Sequence, residues 1–306
     1  MMSNHRIRRA TADDFQAVMD FGDVLFGLDY LPQRYHSFID DPNARSYVYI
    51  VGEEIVAFCS PHLLDDGTTF VMRGSRVKAG FRNQGIYGRL LKHVYDDFKG
   101  TDTIKHDVMT THSLNYENKR ESLKKTHRLI SQKETLNYRA KLADVPLPIM
   151  STDDRPQAFT TADMNSLLDS KESCENLFPG GKIIVAWLPL GLLPANLKYM
   201  MPPNSFALQS RADNTNVSLL SIGSSVECQR GLRYMCDIFG NDATSLRRHL
   251  VSQLYKARGL TEGYVVFEII IETSLRDIAD DIMKDAGVPF LDLDKKTMVL
   301  LEKPFA

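Results

Sequence analysis

The stretch from Thr68 to Lys99, TTFVMRGSRVKAGFRNQGIYGRLLKHVYDDFK, constrains the fold most, because the period of its apolar residues changes partway along. Its beginning predicts a strand: Thr69, Phe70, Val71 and Val77 are β-branched or aromatic and lie between the turn signal Asp66-Gly67 and Gly80. From Gly85 onward Ile86, Leu90, Leu91, Val94, Tyr95 and Phe98 recur at spacings of three and four, one face of a helix. Between strand and helix lies Arg82-Asn83-Gln84-Gly85-Ile86-Tyr87-Gly88. Glycine lets backbone pass close to a ligand, and the first-turn N–H groups of a helix have no partner inside it, so such a turn can cradle a phosphate. A glycine at a helix start is also ordinary turn chemistry, so the rest of the chain decides. No Gly-Lys-Ser/Thr follows, and a dinucleotide fold would place its glycine turn near the chain start with an acidic residue on the next strand.

With 306 residues the chain is long enough for two domains, and 43% apolar with 25% charged residues is the balance of a globular protein. A formal charge of −2 offers no broad basic face for a phosphate backbone, so nucleic acid is not expected as a partner, although a basic peptide tail stays open as an acceptor. Cys59, Cys174, Cys228 and Cys236 stand at irregular distances without a CxxC, which reads as reduced core cysteines in a cytoplasmic protein rather than disulfides or metal ligands. No apolar run follows the charged segment MMSNHRIRRATADD, so a secretory signal is not expected. The longest apolar tract, Ile183 to Leu193, is broken by Pro189 and is too short for a membrane span.

In chain order, Arg6 to Ala10 predicts a short strand and Thr11 caps a helix with Asp13 and Asp14 in its first turn. A second short helix stops at Asp41-Pro42. Strands follow at 47–51 and 55–61, joined about Gly52-Glu53, and the meander runs on to Val77. After the helix from Gly85 come a strand near 105–111, a charged helix near 118–127 and a strand near 135–142. The Pro-, Thr- and Asp-rich segment 143–163 reads as a linker. Beyond it, strands are expected at 204–211, 217–228 and 231–239, a helix at 242–257, a fully covered strand in VVFEIII, a helix at 273–286 and a closing strand at 297–303. This repeats the order of the second half of the first unit.

Arg82-x-x-Gly85-x-Tyr87 resembles the acetyl-CoA signature of the GNAT acetyltransferases, Gln/Arg-x-x-Gly-x-Gly/Ala, except that Tyr87 replaces the last small residue and a glycine comes only at Gly88. The element order of the first 142 residues is the GNAT order. The blocks FGLDYLPQRYHSFIDDPNA, RGSRVKAGFRNQG, HRLISQK, LFPGGKIIVAWLP and LRYMCDIFG resemble, over nearly the whole chain, the histidine N-acetyltransferase family, acetyl-CoA enzymes that acylate the α-amine of free histidine. The resemblance implies an α/β (α+β) GNAT fold, a mixed central sheet with strands four and five splayed, followed by a degenerate GNAT-like second domain. The expected domains are a catalytic GNAT domain at 1–142, a linker at 143–163 and the degenerate copy at 164–306. The copy's turn, Phe239-Gly240-Asn241-Asp242-Ala243, carries no Arg-x-x-Gly and is not expected to hold CoA.

For the cosubstrate acetyl-CoA the resemblance implies main-chain pairing from Arg76, Val77 and Lys78, and a diphosphate held at Arg82, Asn83, Gln84, Gly85, Ile86, Tyr87 and Gly88; no metal is implied. Where relatives carry a strand-four carboxylate this chain has Arg73, which cannot act as a base but can clamp a substrate carboxylate; a salt bridge or an exposed position is the other reading. Acetyl transfer to an amine needs a proton acceptor and an acid for the leaving thiolate. His112, at the end of strand five, is the candidate base, ahead of His106, and Tyr116 the candidate acid, with interfacial packing as its alternative. Asp29, Tyr30 and Tyr35 border the expected acceptor cleft, where an aspartate can hold a cation and tyrosines can stack on an imidazole, or where they pack a helical corner. The expected function is acetyl transfer from acetyl-CoA to the α-amine of histidine or a similar small amino acid by direct attack. A GNAT enzyme for another amine, or a non-catalytic acyl-CoA binder, are the alternatives. The sequence carries no sign of oligomeric state.

Overall fold

The computed structural model describes residues 5–22, 25–151, 154–212, 216–293 and 297–305. The start of the N-terminal charged segment and two positions of the 143–163 stretch lie outside these residues. The chain forms two compact units, Met1–Met109 with Lys303–Ala306, and Thr110–Glu302.

In the first unit, β1 (His5–Arg9), α1 (Phe15–Met19) and α2 (Leu31–Asp40) precede β2 (Tyr47–Val51), β3 (Glu54–Leu64), β4 (Thr69–Val77), α3 (Ile86–Phe98) and the start of β5 (His106–His112). The strands lie in sequence order, antiparallel up to β4 and parallel between β4 and β5. Alternation along β2 divides the core between the two faces of the sheet. Tyr47 and Tyr49 pack with Ile86, Leu90, Val94 and Phe98 of α3. Val48 and Ile50 pack with Val18, Leu31, Tyr35 and Phe38 of α1 and α2. The chain's last residues belong here too: Phe305 packs on Phe70 and Tyr95, its N–H donates to the Lys105 carbonyl at 3.0 Å, and Lys303 pairs with Asp107 at 3.1 Å.

The second unit begins with the end of β5 and α4 (Ser113–Thr126), then β6 (Arg128–Lys141), β7 (Gln157–Ala158), α5 (Thr161–Leu168), α6 (Lys171–Leu177), β8 (Lys182–Val185), β9 (Leu188–Gly191) and α7 (Leu197–Met200). It ends with β10 (Phe206–Arg211), β11 (Val217–Cys228), β12 (Gly231–Gly240), α8 (Ala243–Arg258), β13 (Tyr264–Ile271), α9 (Arg276–Asp285) and β14 (Thr297–Pro304). Its sheet runs β14-β6-β13-β12-β11-β10-β7, parallel only between β12 and β13. One face buries Tyr138, Tyr234, Ile238, Phe267 and Ile269 against Leu246, Leu250 and Leu254 of α8 and Ile282 and Met283 of α9.

Three features go beyond the sequence reading. β6, read as the last strand before residue 142, pairs with β13 along its second half and with β14 along its first, so the compact units divide at Met109/Thr110. Its buried Leu136 and Tyr138 carry it into the second core, and the polar start Arg128–Glu134, which shows no apolar alternation, is strand because β14 pairs with it. Within the 143–163 stretch Val145 and Leu147 alternate with prolines and are buried in the second core, and β7 and the start of α5 lie there. The elements from α5 to α7 were not anticipated. The Thr160/Asp163 capping box that opens α5 was readable as Thr-x-x-Asp.

Candidate active site

β4 carries a bulge. Phe58 pairs with Arg76 and Ser60 with Arg73, so Gly74 and Ser75 together oppose Cys59. Gly74 takes φ +63°, and a Cβ there would meet the Phe58 ring at 3.1 Å, so the position demands glycine. Its N–H donates to the Tyr30 hydroxyl at 3.0 Å, and its carbonyl accepts from Arg76 Nε at 3.0 Å. Arg76 is buried and bidentate on Asp29, at 2.5 and 2.9 Å, while Asp29 also accepts the Leu31 N–H at 3.0 Å. The β4–β5 ladder holds only Thr69/His106, Phe70/Asp107 and Val71/Val108. From residue 72 to 77, β4 has ladder partners on β3 alone among the described residues, so the two parallel strands part.

The turn that follows is braced by its own side chains. Arg82 Nε donates to the Val77 carbonyl and Gln84 Nε2 to the Gly80 carbonyl, both at 3.1 Å, and Arg89 reaches the Gln84 carbonyl at 3.1 Å and the Tyr49 hydroxyl at 2.7 Å. Asn83 at φ +63° and Gly85 at φ +70° reverse the chain into α3. The N–H groups of Ile86, Tyr87 and Gly88 therefore stand at a helix end without intrahelical partners. No Asp or Glu occurs from residue 78 to 89, and nothing lies within 4 Å of a Cβ built on Gly88, so the turn fits a diphosphate in charge and in room. The Ile86 side chain is core. The Tyr87 side chain is half-buried; burial pushes its pKa up, and Ser75 on β4 is its hydrogen-bond partner.

The corresponding place in the second unit differs. β12 and β13 pair without interruption from Leu232/Val265 to Asp237/Ile270. At the start of α8 the donors are already used: Asp242 accepts from Ser245 N–H at 3.1 Å, Ser245 Oγ at 2.7 Å and Ser218 Oγ at 2.8 Å. Burial pulls that carboxyl upward, but these hydrogen bonds together hold it below its ordinary range.

Of the expected acceptor residues, Tyr30 and Arg73 lie together, with the Arg73 guanidinium 4.6 Å from the Phe38 ring and 6.0 Å from that of Tyr30. Asp29 is committed to Arg76. Tyr35 is fully buried, donates to the Thr11 carbonyl at 2.7 Å and packs on Phe15 and Phe58, because α2 turns this face into the core. His106 is exposed, and its neighbour Asp107 is held by Lys303 and by the Tyr95 hydroxyl. Tyr116 is buried on α4. His112 meets the Trp187 ring edge-on at 4.4 Å.

Trp187 was not singled out from the sequence. With Ala186 it forms the two-residue turn of the β8–β9 hairpin, and both take left-handed backbone, φ +49° and +68°. Its indole N–H donates to Glu268 at 3.2 Å and its carbonyl accepts from Thr110 Oγ1 at 2.6 Å. The sequence signal that contains it is the block LFPGGKIIVAWLP. Among the described residues no group of three or more His, Cys, Asp or Glu is placed to hold a metal ion, and no helix is long and apolar enough to cross a membrane.

Comparison with known proteins agrees with this geometry. A family model described as "Acetyltransferase (GNAT) family" matches residues 8–118, and one described as "Histidine N-acetyltransferase, C-terminal" matches 152–272. The histidine N-acetyltransferase of Oreochromis niloticus is 23% identical over 87% of this chain and 83% of its own length. That of Xenopus tropicalis is 24% identical over 80% of this chain and 79% of its own. Among solved structures, a tandem GNAT protein from the clavulanic acid biosynthesis pathway covers 99% of both chains at 14% identity with a TM-score of 0.59, a likeness of fold. The chain is thus a GNAT-fold acyltransferase, an N-acetyltransferase that resembles the histidine N-acetyltransferase family over nearly its whole length.

Proposed function

We propose that this N-acetyltransferase takes acetyl from acetyl-CoA and transfers it to the α-amine of histidine or a similar small amino acid, by direct attack in a ternary complex. One contrast carries the reading: β4 and β5 part after three ladder pairs beside a left-handed glycine turn free of carboxylates, whereas β12 and β13 stay closed beside a turn filled by Asp242. Residues 1–142 then supply the catalytic GNAT half, 143–163 the connection and 164–306 the degenerate half, which takes no CoA.

In this reading the backbone of Arg76, Val77 and Lys78 aligns the pantetheine arm, and the amides of residues 83–88, with the charge of Arg82, hold the diphosphate. Bound acetyl-CoA supplies the activated acyl group. His112 takes the proton that the ammonium must lose before it attacks. Tyr116 returns a proton to the departing thiolate, and Arg73, stacked beside Tyr30, clamps the acceptor's carboxylate. A cytoplasmic setting fits four cysteines at irregular spacing without a CxxC.

Arg73 in place of a carboxylate also supports an acceptor other than histidine, and the inward Tyr87 supports an acyl-CoA binder without turnover. A calorimetric titration with CoA, followed by thiol release across a panel of amino acids, polyamines and peptide amines, separates the three. Binding with turnover highest on histidine is expected. Turnover highest on another amine moves the acceptor, and binding with no turnover on any amine favours the binder.

A further inference from the structure

The face of the first sheet that packs on α1 and α2 is apolar at one end and polar at the other. Val48, Ile50 and Phe58 belong to the core there. Along β3 the alternation that turns Phe58 inward turns Ser60 and His62 the same way. On β4, Arg73 pairs with Ser60 and Val71 with His62, so the arginine leaves the sheet at the polar end. Ser46, just before β2, joins the group. Ser46, Ser60 and His62 are all buried, and they are linked: Ser46 Oγ donates to Ser60 Oγ at 2.9 Å, and Ser60 Oγ lies 3.1 Å from His62 Nε2. Asp41, at the end of α2, stands 3.8 Å from the other ring nitrogen, His62 Nδ1.

This buried chain ends against one ring. Phe38, buried on α2, forms a T-shaped pair with the His62 imidazole at 4.6 Å between centroids, and the Arg73 guanidinium lies over the same ring, also at 4.6 Å. Tyr30 leans on Phe38 at 6.2 Å, and its own hydroxyl is held by the Gly74 N–H. Arg73 thus rests on an aromatic floor braced by β3 on one side and by the β4 bulge on the other. Burial, with the positive charge of Arg73 beside it, holds His62 well below its ordinary pKa, so the imidazole is neutral and puts no second cation against the ring. An arginine loses rotamer freedom when it grips an anion, and a guanidinium that is already stacked has less to lose.

We propose that Phe38 and His62 are positioning residues for Arg73: the imidazole braces the ring, and the ring presents the guanidinium to an acceptor that carries a carboxylate beside its amine. The inference deepens the reading of Arg73 as a carboxylate clamp and rests on it. Discrimination between an amino acid and its decarboxylated amine then depends on two residues that touch no substrate.

The test compares L-histidine with histamine, which lacks only the carboxylate, reading Kd by calorimetry in the presence of CoA and kcat and KM by thiol release. The full chain is set beside Arg73→Leu, Phe38→Leu and His62→Gln, with circular dichroism checking each fold. Phe38→Leu removes the face under the guanidinium and should weaken L-histidine roughly fivefold in Kd and KM, while kcat and the histamine constants stay at wild-type values. His62→Gln keeps a hydrogen-bonding group for Ser60 and removes the brace; it should move the same ratio in the same direction by about twofold or more. Damage to packing alone would move both probes or kcat. Both probes shifting together in Phe38→Leu, or neither shifting, overturns the inference, and if that variant does not fold, His62→Gln decides by the same ratio. Arg73→Leu that changes the ratio, beside positioning variants that do not, overturns this inference and keeps the clamp. Arg73→Leu that leaves the ratio unchanged overturns both.

Discussion

Arg76 and Asp29 form a bidentate ion pair in which the arginine side chain is almost wholly buried and the aspartate nearly so. The pair joins the bulged strand β4 to the entry of α2, and the same arginine's Nε holds the Gly74 carbonyl. It thereby fixes the backbone of β4 at its bulge.

Removing one partner leaves a buried charge. Asp29→Ala is expected to destabilise the protein by about 3 kcal/mol, since breaking a buried pair strands the remaining ion. Urea unfolding monitored by circular dichroism measures this; a loss below about 0.5 kcal/mol, the scale of an ordinary surface substitution, would contradict it.

The glycine of the turn makes a separate expectation. At φ +70° a valine at position 85 costs about 1–2 kcal/mol of backbone strain, and its side chain meets Arg89, whose Nη1 already lies 3.4 Å from a Cβ built there. Gly85→Val should raise the KM for acetyl-CoA far more than that for the amine. Equal rises in both constants would point to general damage.

Opposite titrations sit in the second unit. Burial pushes the Asp237 carboxyl up to about 7, so the folded state binds the extra proton and stability falls as pH rises from about 4 to 7, the penalty being complete above. Burial pushes His249 down to about 3, so there the unfolded state binds the proton and stability falls as pH drops from 6.5 toward 3. Asp237→Asn removes the first slope. It should be nearly neutral at pH 4 and more stable than wild type at pH 8 by on the order of 3 kcal/mol without ligand, and the acid loss from His249 should then be steeper. A constant difference across this range would contradict the assignment.

The hairpin tip gives a gain rather than a loss. Ala186 lies at φ +49°, a region that costs an L-residue about 1 kcal/mol, so Ala186→Gly should raise stability by a comparable amount. A lower thermal midpoint would show that the tip relies on the methyl group.

Much of the fold was readable because local signals agreed with tertiary ones. The change from period two to period three at Gly85, the β2–β3 turn at Gly52-Glu53 and the apolar run VVFEIII each stand where the sequence placed them. What was hidden depends on long-range pairing. The polar start of β6 is strand because β14 lies beside it, and no property of Arg128 or Gln132 alone announces that. Likewise Asp29 and Tyr35 look like cleft residues from their place between two helices, but Arg76 claims one, 47 positions along the chain, and the core claims the other. The Ala186-Trp187 turn defeats turn chemistry altogether, since neither residue favours a positive φ.

On the proposed reading the amides of the β4–α3 turn hold acetyl-CoA for transfer to an amino acid. It is tested most directly by incubating the protein with acetyl-CoA and L-histidine, measuring thiol release and identifying the product by mass spectrometry, for wild type beside Gly85→Val. Acetyl is expected on the α-nitrogen of histidine, with turnover restored in the variant only at raised acetyl-CoA. Wild-type protein that releases no thiol with any amine, or a variant whose acetyl-CoA dependence is unchanged, would contradict it.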